Sequence, residues 1–208
     1  MAKRFFISDL HFNSSVLVES KVRDFENVDI MNQTLIDNIN KECSDDDILI
    51  HLGDLCQYGY DRIWNGYNIN PKFFLKQINP TVVNIKGNHD DSNKVKSICD
   101  SMRTTLGKKY TAVSVSHYPS NHPKSVGTFH RGDIRLHGHI HCKIDDDENV
   151  TKPPKFFIDF KNAILNINLN CELWDYKPVS EDQLISFVDE IMKNHGKLEP
   201  KVVNSMSS

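Results

Sequence analysis

Residues 47–54 read DILIHLGD, a short apolar run that stops at Gly53-Asp54. The pattern is that of a buried strand ending at a polar turn. It recurs on either side: residues 4–8 (RFFIS) run into Asp9, and residues 81–86 (TVVNIK) run into Gly87-Asn88-His89-Asp90. Between the first two runs, Met31, Leu35, Ile39 and Cys43 recur every four residues and mark one face of a helix over residues 30–43. A shorter helix is expected over 71–78, with Pro71 in its first turn. The alternation of strands and helices implies a sheet with parallel strands covered by helices.

Farther along, residues 110–116 (YTAVSVS), 134–136 and 164–169 (ILNINL) have strand patterns without evident crossover helices between them. An α/β sandwich with a late run of strands accommodates both halves. Ser180, with Gln183 three residues on, forms a capping box for a last helix whose apolar face is Leu184, Phe187, Val188 and Ile191. With 208 residues in the chain, residues 1–200 are expected to be one domain and 201–208 a flexible tail. Hydrophobic content of 38% and charged content of 25% indicate neither disorder nor a membrane span. The apolar stretch in MAKRFFISD is too short for a signal-peptide core, so a cytoplasmic location is expected. Five scattered cysteines without a C-x-x-C pair are expected to be reduced thiols. A formal charge of −3 without a basic stripe points to a small or locally bound substrate rather than a long nucleic acid.

Ligands of open α/β sheets bind beyond the carboxyl ends of the strands, where the polar clusters fall. Asp9 and His11 are two residues apart, and His139 and His141 repeat that spacing; in extended backbone each pair projects to one side, a chelating geometry. Taken singly, an Asp at a strand end is more often a turn former or cap than a ligand, Asn88 is a turn residue, and His117 is a hydrogen-bonded structural histidine. Chance rarely assembles all five blocks in order.

Those blocks are FISDLHF (6–12), HLGDL (51–55), IKGNHD (85–90), VSHYP (115–119) and LHGHIH (136–141). Together they resemble the calcineurin-like metallophosphoesterase family, over residues 4–141 by motif. The likeness continues more weakly through residues 173–180 (LWDYKPVS), similar to the tail of small bacterial and phage members. The resemblance implies a two-sheet mixed sandwich flanked by helices, in four α/β/β/α layers. It implies that Asp9, His11 and His141 hold one metal, that Asn88, His117 and His139 hold the other, and that Asp54 bridges them. It implies manganese, iron or zinc, with manganese favoured; four imidazoles agree with transition metals over calcium or magnesium. Two divalent cations against two carboxylates leave about +2 to attract a phosphate ester, and a metal-held hydroxide would be the nucleophile.

The implied activity is metal-dependent hydrolysis of phosphate mono- or diesters of a small molecule or nucleotide. A nuclease would use the same centre but should add a basic groove, and a scaffold without catalysis should show gaps in the ligand set; neither sign is present. His89 is the candidate general acid or phosphate clamp. Where many family members have an acidic residue to orient that histidine, this chain has Gln57. Asp90 is either a partner for His89 or a cap on a helix at 91–99. His51 and His137 are expected to pack in their strands, and His195 to face the end of the last helix. His122, Lys124, His130 and Arg131 read as solvated loop residues, with Arg131 also able to clamp phosphate. Cys56 and Cys142 read as packing residues beside ligands. Oligomeric state is not legible.

Overall fold

The computed structural model describes residues 2–57, 63–64, 67–127, 130–147 and 149–195, the side chains of 63–64, 67–68 and 195 excepted. The expected tail at 201–208 lies outside these residues. In chain order the elements are β1 (Arg4–Ile7), α1 (Ser15–Glu19), α2 (Val28–Glu42), β2 (Ile48–His51), β3 (Ile63–Trp64), β4 (Tyr67–Asn68), α3 (Pro71–Leu75) and β5 (Thr81–Asn84). There follow β6 (Ser101–Leu106), β7 (Tyr110–Ser116), β8 (Ile134–His137), β9 (Lys143–Ile144), β10 (Val150–Thr151), β11 (Phe156–Asp159), β12 (Ile164–Asn168), β13 (Val179–Ser180) and α4 (Glu181–His195).

The first sheet has the order β13-β1-β2-β5, with β1, β2 and β5 parallel and β13 antiparallel to β1. The second has the order β11-β12-β8-β7-β6, parallel in its middle and antiparallel at both edges. The two-sheet mixed sandwich with flanking helices is therefore as expected. Edge strands β6 and β11 were not, because SMRTTL and FFID lack long apolar runs.

Alternation along the strands divides the interior. Phe5, Ile7 and Leu49 join Met31, Leu35 and Ile39 of α2 in one apolar cluster. Phe6 and Ile50, on the opposite face, join Val113, Val115, Ile134, Leu136, Leu165 and Ile167 of the second sheet, together with Leu184, Val188 and Ile191 of α4. Each such side chain contributes about 1.5–3 kcal/mol on burial. Asn27 caps α2 by accepting from the Asp29 and Ile30 amides, both at 3.0 Å. The capping box of α4 forms in both directions, from Ser180 N to Gln183 Oε1 at 2.8 Å and from Gln183 N to Ser180 Oγ at 3.2 Å.

The other face of the second sheet is different. Ser114, Ser116, Arg135, His137, Asn166 and Asn168 alternate with its apolar residues and are buried. The segment after β7 covers them: Arg135 donates to the carbonyls of Tyr118 at 3.2 Å and Val126 at 2.9 Å, and Asn166 Oδ1 accepts from the Ser120 amide at 2.8 Å. Among the described residues, no helix is long and apolar enough to cross a membrane.

Candidate metal centre

The loops after β1 and β2 run side by side. The amides of Asp9, His11 and Phe12 donate to the carbonyls of Gly53, Asp54 and Leu55, each at 3.0 Å. Asp9, His11, Asp54 and His139 have φ of 57°, 45°, 59° and 70°. The D-x-H and H-x-H pairs thus do not converge through extended backbone, as the spacing predicts. The chain curls into left-handed conformations just past the strand ends, which Asp, Asn and His tolerate better than most residues.

Glycines make room for this. A Cβ on Gly87 would stand 2.2 Å from Asp54 Oδ1, and one on Gly138 would stand 2.2 Å from Asp9 Oδ2. The same carboxylates are bound by backbone. Asp54 Oδ1 accepts from the His89 amide at 2.8 Å, and Asp9 Oδ2 from the His139 amide at 3.0 Å.

Two groups of donor atoms result, Asp9–His11–His141 and Asp9–Asp54–His117, each with its atoms within 4.8 Å of one another. In the first, Nε2 of His11 and Nε2 of His141 are 3.2 Å apart, and Asp9 Oδ1 is 3.3 Å from His141 Nε2. Neighbouring donors on one cation with bonds of ~2.0–2.2 Å stand roughly 3.0–3.5 Å apart, so these spacings suit a shared ion. In the second, His117 Nδ1 donates to the Leu52 carbonyl at 2.9 Å, which leaves Nε2 as a lone pair in the neutral ring. That lone pair faces Asn88 Oδ1 at 2.9 Å and Asp54 Oδ2 at 3.4 Å, both acceptors themselves. Asp54 Oδ2 is also 3.6 Å from His11 Nε2, so it stands between the groups. Asp9, like Asp54, is within reach of both. The His139 ring sits edge-on to His117 at 5.1 Å between centroids.

The electrostatics ask for cations. Asp9 Oδ1 is buried without a hydrogen-bond partner among the described residues. Burial works to raise the Asp9 carboxyl, but His141, His117 and His11 outweigh it and hold the group well below its usual value. Burial opposes protonation of His117 and His141, yet neighbouring carboxylates push them up to about 9 and about 10. His11, buried beside them, falls to about 3 and His139 to about 4, burial being the main cause for both. The donor set and the spacings of its atoms fit divalent metal ions, which would take the place of the protons that now hold these carboxylates and imidazoles together.

His89 is exposed, and its ring lies edge-on to His11 at 5.6 Å. It lines a cleft of about 420 Å³ with His11, Ser14, Val16, Leu17, Gln57, Ser92, Asn93 and His141. Asp90 neither partners His89 nor caps a helix. It is buried and accepts from the amides of Gly87, Leu55 and Asp54 at 2.7, 3.1 and 3.3 Å, clamping the loops after β2 and β5 together. Residues 91–94 form turns and the expected helix over 91–99 is absent; the segment instead bonds to β5 and its loop, Val95 N to the Asp90 carbonyl and Ile98 N to the Asn84 carbonyl, with Cys99 bridged to Ile85.

His51 is buried and pairs with Asn84 Oδ1 at 2.6 Å, and His137 is buried in β8; both are packing residues. His122 stacks on Tyr118 at 4.4 Å and meets His139 edge-on at 5.0 Å, so it belongs to the rim rather than to solvent. Lys124, His130 and Arg131 are exposed. Cys56 and Cys142 are buried and their thiols raised, Cys142 to about 11, chiefly by burial. The His195 side chain lies outside the described residues.

Two functional neighbours escaped the sequence, Arg23 and Glu172. Glu172 Oε1 accepts from His141 Nδ1 at 2.7 Å and from Arg23 Nε at 3.0 Å. Glu172 stands beside the weakly matching segment 173–180, the one signal that could have drawn attention to it.

A two-sheet α/β sandwich with carboxylates and imidazoles gathered at its strand ends has the makings of a metal-binding protein. The model of the calcineurin-like phosphoesterase family matches residues 3–199, and the chain belongs to that family of phosphoric ester hydrolases. It is similar to an uncharacterized protein of Methanocaldococcus jannaschii, 28% identical over 193 residues, spanning 91% of this chain and 93% of that one. Among solved structures, a protein of unknown function from Aquifex aeolicus shares the fold, with a TM-score of 0.60 and 23% identity over 90% of this chain and 100% of its own. A phosphoesterase from E. coli aligns with a TM-score of 0.37 and 15% identity over 80% of this chain and 78% of its own.

Proposed function

We propose that Asp9, His11 and His141 hold one divalent transition metal, that Asn88, His117 and His139 hold a second, and that Asp54 is shared. On this reading the site hydrolyses phosphate esters of a small molecule or nucleotide. The observation that carries it is the gathering of carboxylate and imidazole donor atoms into two groups that share Asp9, with Asp54 standing between them. Manganese is favoured among manganese, iron and zinc, the imidazole-rich set arguing against calcium and magnesium. When bound, the metals would supply Lewis acidity toward phosphoryl oxygens and a water acidic enough to ionise near neutral pH.

The chain's own residues do the rest. The Leu52 carbonyl and the Glu172 carboxylate fix the tautomers of His117 and His141, so that both Nε2 atoms face inward. His89 donates a proton to the leaving oxygen from the wall of the cleft. Gln57, which lines the same cleft, brings an amide that adds no negative charge there. Among the described residues lining the cleft none is Lys, Arg, Asp or Glu, and Val16 and Leu17 give it an apolar side. The free state of all five cysteines suits a reducing, cytoplasmic setting.

The test is to strip the protein of metal, restore Mn²⁺, and assay nitrophenyl phosphate against bis-nitrophenyl phosphate. Activity should return with the metal. Two bound metals without turnover of either ester would favour a scaffold, and cleavage confined to single-stranded oligonucleotides would favour a nuclease.

A further inference from the structure

Arg23 and Glu172 are 149 residues apart in sequence and form an ion pair whose side chains are 0% and 2% exposed. Replacing a buried pair with apolar residues is often neutral or stabilising, so stability alone does not account for one here. The remaining bonds of the pair show where it acts. Arg23 Nη2 and Nη1 donate to the carbonyls of Asp9 at 2.6 Å and Leu10 at 2.8 Å. Glu172 Oε1 accepts from His141 Nδ1, and Oε2 from the Cys142 amide at 2.8 Å. The loop after β1, the loop after β8 and the turn after β12 are thus tied to one pair of charges, directly behind Asp9 and His141.

In the other half Asp90 clamps the loops that carry Asp54 and Asn88 through backbone amides, but among the described residues no carboxylate backs an imidazole there. His117 Nδ1 rests on a neutral carbonyl, that of Leu52. The His139 ring is half-buried and Asn88 is exposed. A carboxylate accepting from the far nitrogen of a ligating imidazole fixes its orientation and strengthens it as a donor, more than a carbonyl can.

We propose that the Arg23–Glu172 pair is a positioning element that makes the two metal positions unequal: it preorganises the Asp9–His11–His141 position for tight binding and leaves the Asn88–His117–His139 position the weaker. The inference rests on the two-metal reading above. It predicts that a chelator empties the positions in sequence, the second before the first. Both residues act through Asp9 and His141 and touch no substrate.

The experiment titrates the metal-stripped full chain with Mn²⁺ alone, reading free Mn²⁺ by electron paramagnetic resonance, beside thermal melting and the proton resonance of His141 Nδ1–H. The variants are Glu172→Gln and the double Arg23→Gln/Glu172→Gln, which leaves no lone buried charge if the single variant folds poorly. Wild type should bind two ions in resolved steps. Both variants should weaken the tighter step by ~10–100-fold, keep the weaker step, and shift the His141 resonance upfield. The proposal is overturned if the wild type shows two equal steps, or if the folded double variant keeps both steps and the resonance. Uptake of no Mn²⁺ by the wild type would overturn the two-metal reading, and this inference with it.

Discussion

The first sheet places apolar side chains on both of its faces, Phe5, Ile7 and Leu49 toward α2 and Phe6 and Ile50 toward the second sheet. The second sheet does so on one face only; on the other, Arg135, His137, Asn166 and their neighbours are buried under the segment that follows β7. Arg135 and Asn166 are bonded there to particular carbonyls and an amide, whereas apolar groups accept any filling of the right volume. That covering segment carries Tyr118 and His122 against His139. The second sheet's stability is therefore coupled to the rim of the metal cluster, while the first sheet supports the cluster through loops clamped independently of its core by Asp90.

Removing chemistry from a first-sheet loop without touching the core is the sharpest way to separate these roles. Asp54→Asn keeps the left-handed backbone and should lower turnover by ~10³-fold or more, the several kcal/mol of charge stabilisation that the centre supplies. Its melting temperature in the metal-free state should change little, and a large drop would mean that loop and core are not independent. His89→Ala should cost ~10²–10⁴-fold on alkyl esters and far less on nitrophenyl esters, with metal content unchanged. Equal losses on both would remove it as the general acid.

Smaller effects sharpen the contrast between the sheets. Leu136→Ala and Leu49→Ala should each destabilise by ~2–5 kcal/mol in chemical denaturation, since both are fully buried in apolar clusters. Arg135→Met should cost ~1–3 kcal/mol for the carbonyls it leaves unpaired and also reduce turnover, by releasing the segment bearing Tyr118 and His122. Normal turnover in that variant would break the coupling between the second sheet and the rim. The last test is acid. Burial works to raise the Asp133 carboxyl, but Arg103 and the His130 amide outweigh it and hold it below its ordinary value. Its contribution is present above ~3.9, the unfolded value, and lost as pH falls through the folded one. Melting followed from pH 5 to pH 2 should therefore fall less steeply for Asp133→Asn than for the wild type.

The same contrast explains what the sequence disclosed. Strands β1 and β2 stand out as apolar runs because both of their faces are buried, the partly buried edge strand β5 stands out through its valines, and each points to its ligand loop. Strands β6 and β11 do not, because edge strands with polar or mixed faces resemble loops. The ligand candidates were legible because they are short-range motifs. Arg23 and Glu172 were not, since a lone Arg in one turn and a lone Glu in another become partners only through tertiary contact. Asp90 misled because an Asp ahead of a polar stretch looks like a helix cap, whereas its oxygens collect amides from two loops.

The left-handed conformations at Asp9, His11, Asp54 and His139 limit how such a centre can change over evolutionary time. Each position must satisfy a backbone requirement as well as a coordination requirement, and Asp, Asn and His are among the few residues that do both. A drifting lineage can exchange one of these for another and adjust its metal, but a β-branched or bulky replacement is strained before any chemistry is considered. With Gly87 and Gly138 pressed against the carboxylates, the backbone there has no slack to absorb a substitution. New substrate preferences are then expected to arise by exchange along α1 and in the segment after β7, around a centre whose alphabet stays nearly fixed.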